Sequence, residues 1–250
     1  MLTWILLAAA GFAAGVVNAI AGGGTLISFP ALMHTGMGAR IANATNTIAI
    51  WPGTVSSAWA YRAFISAERQ RARQLMVPSL LGGLGGSILL LHTSERSFRA
   101  VVPWLIVFAC LLLALQGPVA RWVAARSGPE KRHVPLSLWL AQYLISVYGG
   151  YFGAGIGILM LAAMAVFIPG NLQAANGLKV LFAMLINGVS AAYFILAGAV
   201  RYPEALVMMV AALAGGWAGA HLAQRLPSRL MRVLVIGYGL VVAGKLFLES

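Results

Sequence analysis

The stretch between His133 and Lys179 constrains the fold most strongly, because about 45 consecutive residues carry no charged side chain. As one continuous helix it would be roughly 68 Å long, about twice the 30 Å hydrocarbon core of a bilayer. The segment must therefore cross a membrane twice or break within it. Lys179 closes the stretch as a lone cation with apolar sequence on both sides.

The composition agrees with a membrane-spanning chain. Hydrophobic residues make up 61% of the 250 residues and charged residues 9%, whereas about a quarter of the residues in soluble domains are charged. A net charge of +12 would suggest nucleic acid in a soluble protein, but here the basic residues lie between apolar runs, where cytoplasmic loops collect them. We expect a multi-pass protein in a lipid bilayer, with no nucleic-acid partner.

The hydrophobic runs predict an all-α integral membrane protein. Eight runs are long enough to span: residues 3–34, 41–61, 74–92, 99–117, 135–169, 174–199, 204–222 and 230–248. A polar stretch with turn-forming residues separates the fourth run from the fifth. We therefore predict two repeats of four long segments: an N-terminal repeat at 1–117, a basic cytoplasmic linker at 118–134 and a C-terminal repeat at 135–250.

The two halves resemble each other at a constant shift of 133 residues. The matched positions are Gly22 with Gly155, Gly24 with Gly157, Asn43 with Asn176, Ser57 with Ser190, Gly82 with Gly215, and Gly86 with Gly219. Identity falls on glycine and polar residues rather than on leucine, which indicates an internal duplication. Duplications of this kind are typical of secondary transporters, whose site lies where the repeats meet.

The basic loops favour inverted repeats. They follow the second run in the first half but the third run in the second half: Arg62, Arg69, Arg71 and Arg73, against Arg225, Arg229 and Arg232. Since short basic loops stay cytoplasmic, equivalent loops then lie on opposite sides of the membrane, and each half crosses an odd number of times. The overlong first run of each half supplies the extra crossing as a broken or re-entrant element. The alternative is eight simple spans in parallel repeats.

Glycine clusters mark the expected breaks in both overlong runs. They are Gly22, Gly23 and Gly24 in the first half, and the stretch 149–157 with Gly155 and Gly157 in the second. Unwound backbone at membrane depth is tolerated where it lines a cavity. The alternative is that these glycines only let helices approach closely. For a second group we favour that packing role: Gly82, Gly83, Gly86, Gly215, Gly216 and Gly219.

Polar residues downstream of each cluster are the candidate substrate site. Asn43 and Asn46 open the second run, and Asn176 and Lys179 occupy the equivalent positions. An ionisable group within a span is costly unless it faces a cavity or a partner. The alternative for Lys179 is snorkelling toward the interface. Hydroxyls of Thr45, Ser57 and Ser190 complete the polar set.

The substrate expected of such a site is a small anion. The chain has no aspartate, and we expect its five acidic residues to lie in loops or at the terminus: Glu68, Glu95, Glu130, Glu204 and Glu249. A lysine, amide donors and half-helix N-termini attract negative charge. Catalysis would need a nucleophile with a base, or paired acids, and the spans offer neither. No enzymatic activity, metal site or cofactor is expected.

Several motifs resemble the sulfite exporter TauE/SafE family, also called the 4-toluene sulfonate uptake permease family. They are residues 11–15, 22–26 and 30–32 of the first half, 149–157 and 176–179 of the second, and the pairs Gly82-Gly83 and Gly215-Gly216. The resemblance covers nearly the whole chain. It implies a bacterial inner-membrane permease for sulfite, sulfonates or related sulfur-containing organic anions.

The residues alone leave one other interpretation of the function, a non-transporting assembly or interaction partner. Such a protein would need a large packing face but no enclosed polar cavity. A homo-oligomer is compatible with the sequence.

Overall fold

The computed structural model describes residues 1–20, 23–125, 134–167, 172–222 and 228–249, and these ranges are helical without strands. The helices are α1 (Leu2–Ile20), α2 (Thr25–Met33), α3 (Ala39–Ala60), α4 (Arg62–Ala67), α5 (Arg69–His92), α6 (Glu95–Ala125), α7 (Leu136–Tyr151), α8 (Ile156–Phe167), α9 (Leu172–Leu196), α10 (Tyr202–Leu222) and α11 (Ser228–Glu249). The predicted all-α architecture is confirmed.

Five helices in the described part of the chain are long and apolar enough to cross a membrane. Their apolar stretches are Leu2–Ala19, Arg69–His92, Glu95–Ala125, Gln173–Leu196 and Leu230–Leu248. They belong to α1, α5, α6, α9 and α11. These helices support a multi-pass membrane protein.

Both overlong runs break at their glycine clusters, as predicted. Gly23 has φ +89° between α1 and α2, and Gly153 and Gly155 have φ +80° and +79° between α7 and α8. Residues with a side chain rarely adopt this left-handed backbone conformation, whereas glycine does so readily and therefore permits the turn. The second arms, α2 and α8, contain 9 and 12 residues. At about 14 and 18 Å they are too short to cross the roughly 30 Å hydrocarbon core.

The first helix of each half packs against a helix of the other half at backbone contact distance. A Cβ on Gly15 of α1 would lie 2.1 Å from the carbonyl oxygen of Ala212 on α10, and one on Gly86 of α5 would lie 2.0 Å from that of Val147 on α7. No side chain fits there. Residue numbers rise together along both contacts, so α1 runs parallel to α10 and α7 runs parallel to α5.

The packing role predicted for the second glycine group is confirmed at four positions. A Cβ would lie within 2.8 Å of an opposing backbone atom at Gly82, Gly86, Gly215 and Gly219. A Cβ on Gly83 would instead lie 3.0 Å from a side-chain methyl of Val189. A Cβ on Gly216 would lie 4.0 Å from its nearest neighbour, the carbonyl oxygen of Gly15. Close helix approach in a membrane depends on residues without side chains.

Two further helix pairs run antiparallel. Trp51 of α3 donates from Nε1 to the carbonyl oxygen of Met184 on α9 at 3.1 Å, and Phe64 beyond α3 meets Gly177 near the start of α9. In α6 and α11, Trp104 stacks edge-on with Phe247, while Cys110 donates weakly to the carbonyl oxygen of Ile236 at 3.8 Å. In each pair, residue numbers rise along one helix while those of its contacts on the other helix fall.

The predicted linker begins as helix. α6 continues to Ala125, so residues 118–125 extend the fourth run by about two turns. Pro118 is accommodated within this helix, and alanine, valine and arginine around it are compatible with continuation. The basic residues at 126–133 lie outside the described residues.

Candidate functional site

Lys179 lies near the start of α9 and beside the second helix break. It is half-buried, and its aliphatic stem packs against Gly157, where a Cβ would lie 3.2 Å from Lys179 Cδ. Glycine at 157 therefore makes room for the lysine. Lys179 forms no hydrogen bond or ion pair with any residue in the described ranges.

Asn43 of α3 contacts the other end of the same break. Its Nδ2 donates a 2.9 Å hydrogen bond to the carbonyl oxygen of Tyr151, the last residue of α7. Its Oδ1 is buried and has no partner among the described residues. The break from Tyr151 to Gly157 therefore has Asn43 at its first end and Lys179 at its second.

Asn46 lies one turn beyond Asn43 and is 1% exposed. Its side chain has no hydrogen-bond partner within the part of the chain that the structure describes. A buried amide left unpaired costs about 1–3 kcal/mol, so such a group is usually satisfied by water or a ligand. Asn46 and Lys179 occupy equivalent positions in the two halves.

Asn176 lies on α9 one turn before Lys179. It is half-buried and, like Lys179, has no hydrogen-bond partner among the described residues. Residues three apart share one face of a helix. The amide therefore lies on the same face of α9 as the lysine.

The three candidate hydroxyls already have protein partners. Thr45 Oγ1 is buried and accepts from the backbone N–H of Arg201 at 3.1 Å. Ser190 Oγ lies 2.7 Å from Ser87 Oγ and joins α9 to α5. Ser57 is exposed and donates to the carbonyl oxygen of Gly53 at 2.9 Å. The structure thus uses Ser190 in helix packing and does not bring Ser57 to the asparagines.

The glycines at the two breaks shape the backbone. Gly24 approaches α1 so closely that a Cβ would lie 2.4 Å from the carbonyl oxygen of Ala14, and Gly155 lies beside Leu112 of α6. Gly23 provides the positive φ already described, and Gly22 lies outside the described residues.

Two residues that support the breaks were missed by the sequence analysis. Asn18 Oδ1 accepts from the N–H of Gly24 at 2.8 Å, and the hydroxyl of Tyr148 donates to the carbonyl oxygen of Ala154 at 2.6 Å. Each bond ties a half-helix to the turn that follows it. Asn18 carried a signal, since it is an amide within an apolar run; Tyr148 did not.

The expectation that all acidic residues lie in loops or at the terminus is wrong for Glu95, the first residue of α6, and for Glu204. Glu204 lies in the first turn of α10 and is 8% exposed. The N–H groups at a helix N-terminus favour a carboxylate, and Arg201 donates to Glu204 Oε1 at 3.1 Å. Its Oε2 is buried without a partner among the described residues.

Comparisons with known proteins agree with this architecture. The family model described as "Sulfite exporter TauE/SafE" matches residues 7–246. A "Probable membrane transporter protein" of Haemophilus influenzae is 29% identical over 249 residues, covering 98% of this chain and 94% of the relative. "Probable membrane transporter protein YfcA" of Escherichia coli K12 is 27% identical over 244 residues, covering 95% and 87%.

A third relative, "Probable membrane transporter protein ORF9" of a Sinorhizobium species, is 26% identical over 257 residues and covers 100% of this chain and 93% of its own. No solved structure matches the chain. The family and the relatives' names indicate a membrane transporter rather than an enzyme. With a family match over nearly its whole length and five apolar helices able to span a bilayer, the chain belongs to the TauE/SafE family of membrane transporters.

Proposed function

We propose that this protein moves a small anion across the bacterial inner membrane by alternating access, and that the anion is sulfite, a sulfonate or a related sulfur-containing organic anion. The observation that carries the proposal is Lys179, a half-buried lysine beside a helix break without a counter-ion among the described residues. An intramembrane cation of this kind is stabilised when a ligand supplies the opposite charge.

The surrounding groups favour an anion over a cation. Asn46 of α3 and Asn176 of α9 have side chains without hydrogen-bond partners among the described residues, so their amide N–H groups can donate to a ligand. Three carboxylates are each paired with an arginine: Glu95 with Arg40, Glu68 with Arg71, and Glu204 with Arg201. A lysine and amide N–H groups can each donate to the oxygens of a sulfite or sulfonate group.

Inverted repeats account for the helix directions. α3 is equivalent to α9 and α6 to α11 at the shift of 133 residues, and both pairs pack antiparallel. A two-fold axis in the membrane plane relates antiparallel copies, whereas an axis along the membrane normal would relate parallel ones. The antiparallel pairs therefore favour inverted repeats over eight spans in parallel units.

The cross-packed helices suggest the moving parts. α1 of the first half is joined to α10 of the second, and α7 of the second half to α5 of the first, by backbone contacts too close for any side chain. Such contacts hold each pair as a unit. Rocking of the two units about the central α3 and α9 would open the site alternately to the two sides.

Flux measurements test the proposal. The full-length protein in proteoliposomes is assayed with sulfite, thiosulfate, taurine, sulfoacetate and simple carboxylates. We expect at least one sulfur-containing anion to move, and Lys179→Ala to abolish its flux. Lys245→Ala on α11, an exposed position, removes the same charge elsewhere and should retain flux. Absence of any anion flux, or normal flux in Lys179→Ala, would overturn the proposal.

A further inference from the structure

An open groove of about 320 Å³ lies between α4, α5 and α9, apart from the Lys179 site. Its polar side carries Arg69 and Arg73, one helical turn apart on α5, with the hydroxyl of Ser66. Both arginines are exposed. Neither forms a hydrogen bond or ion pair with a residue in the described ranges. The groove therefore presents two unneutralised guanidinium groups on one helix face.

The other side of the groove is apolar. Met76 continues the face of Arg73 toward the interior of α5, Leu181 contributes from α9, and Ile65 contributes from α4. Met76 is 38% exposed. A ligand that fills this groove would need a negative group at one end and a hydrocarbon portion at the other.

The residues next to the groove are of the types that collect at a membrane interface. Trp59, at the end of α3, is 70% exposed, and the guanidinium of Arg62 lies 5.0 Å from the centre of its ring. Tyr61 packs against Phe64, which is itself 42% exposed. Tryptophan and tyrosine collect at the headgroup level of membranes, and arginine clusters next to them attract anionic lipids.

We propose that this groove binds an anionic phospholipid, with its phosphodiester between Arg69 and Arg73 and an acyl chain along Met76 and Leu181. The charge of Arg69 and Arg73 complements the phosphodiester, and the apolar side chains of Met76 and Leu181 complement an acyl chain. The bound lipid touches both α5 and α9. Gly177 of α9 also packs against Phe64 of α4. The lipid therefore braces α4, α5 and α9 at the start of α5, where Arg69 and Arg73 lie.

Thermal unfolding of the full-length protein in mild detergent tests this site. The probes are dioctanoylphosphatidylglycerol, zwitterionic dioctanoylphosphatidylcholine, and glycerol phosphate as a headgroup without chains. A ligand that binds only the folded state stabilises it by RT ln(1 + [L]/Kd), so the unfolding temperature rises with the logarithm of ligand concentration once that concentration exceeds Kd. We expect phosphatidylglycerol to raise the unfolding temperature more, at each concentration, than either of the other two.

Substitutions then locate the binding site. The double variant Arg69→Gln/Arg73→Gln should bind phosphatidylglycerol roughly tenfold to thirtyfold more weakly. If the double variant does not fold, Arg73→Gln alone should weaken binding roughly fivefold. The matched control, Arg96→Gln/Arg99→Gln, removes two exposed arginines from α6 and should leave the affinity unchanged.

Each other outcome overturns the proposal. An equal rise with phosphatidylcholine means that no charge is recognised. A full rise with glycerol phosphate means that a free anion, not a lipid, is the ligand. Equal loss in the control double variant means that binding depends on net charge and not on this groove.

Discussion

The side-chain amide of Asn43 on α3 holds the end of α7 by a 2.9 Å hydrogen bond to the carbonyl oxygen of Tyr151. These residues are 108 positions apart and belong to different halves. The last carbonyls of a helix lack partners within the helix, so an external donor satisfies one of them. The bond fixes the first end of the break whose other end contacts Lys179.

Replacing Asn43 should therefore affect both stability and transport. Asn43→Ala leaves the carbonyl of Tyr151 without its donor, and we expect a loss of about 1–3 kcal/mol in the free energy of unfolding. Asn43→Asp retains the size of the side chain but cannot donate when ionised and places a negative charge near the site. The unfolding temperature and the anion flux should both fall in each variant. At equal protein recovery, the flux should be lower in Asn43→Asp than in Asn43→Ala. Flux equal to wild type in Asn43→Asp would argue against an anion path at this break.

The close helix contacts should not tolerate a methyl group. A Cβ on Gly86 would lie 2.0 Å from the carbonyl oxygen of Val147, so Gly86→Ala must separate α5 from α7 and should destabilise the protein by about 1–3 kcal/mol. Gly237→Ala is the control, since nothing lies within 4 Å of its Cβ. That substitution should be neutral or stabilising by up to about 1 kcal/mol. Unfolding temperatures in one detergent provide the comparison, and equal values for both variants would contradict the packing geometry.

Two ion pairs occupy equivalent positions with their charges exchanged. Glu68 pairs with Arg71 at 2.5 Å, and Arg201 pairs with Glu204 at 3.1 Å. Glu204→Arg places a second cation beside Arg201 in a buried position and should destabilise the protein by roughly 3 kcal/mol. Adding Arg201→Glu restores the charge order of the first half.

Thermal unfolding of the single and double variants measures the coupling between these two positions. We expect the double variant to recover at least half of the stability lost in Glu204→Arg. If the double variant recovers none of the lost stability, contacts other than the pair itself determine the charge order at the start of α10.

Cysteine labelling tests the inverted topology. In a Cys110→Ala background, Gln70→Cys and Ser228→Cys place single thiols next to the two basic loops. A membrane-impermeant maleimide should label both in inside-out vesicles and neither in intact spheroplasts, because basic loops stay cytoplasmic. Labelling from opposite sides would favour eight spans in parallel repeats.

The sequence predicts those parts of the fold that depend on local chemistry. The breaks at Gly23 and at Gly153 to Gly155 follow from glycines within runs too long for one crossing, and the hydrophobic runs predict the long helices. The partners of these helices were not predicted. In a bilayer all faces of a helix can be apolar, so periodicity does not distinguish a packed face from a lipid-facing one.

In the candidate site, too, local chemistry is predictable from the sequence and tertiary contacts are not. Polar groups are costly in a span, so the sequence predicts a functional role for Lys179 and Asn46, and the structure leaves both without protein partners in the described ranges. The same argument applies to Ser190, but its hydroxyl forms a hydrogen bond with Ser87 of α5. That contact joins residues 103 positions apart. The sequence alone gave no sign of this pairing, nor of the burial of Glu204 against Arg201.

Equilibrium binding of the transported anion to the purified protein tests the central claim most directly. A charge-assisted hydrogen bond contributes about 1.5–3 kcal/mol. Lys179→Gln should therefore weaken binding roughly tenfold to 150-fold in calorimetric titration, while Lys245→Gln should bind like wild type. Equal affinities for wild type and Lys179→Gln would contradict the account, because the anion would then bind without the lysine.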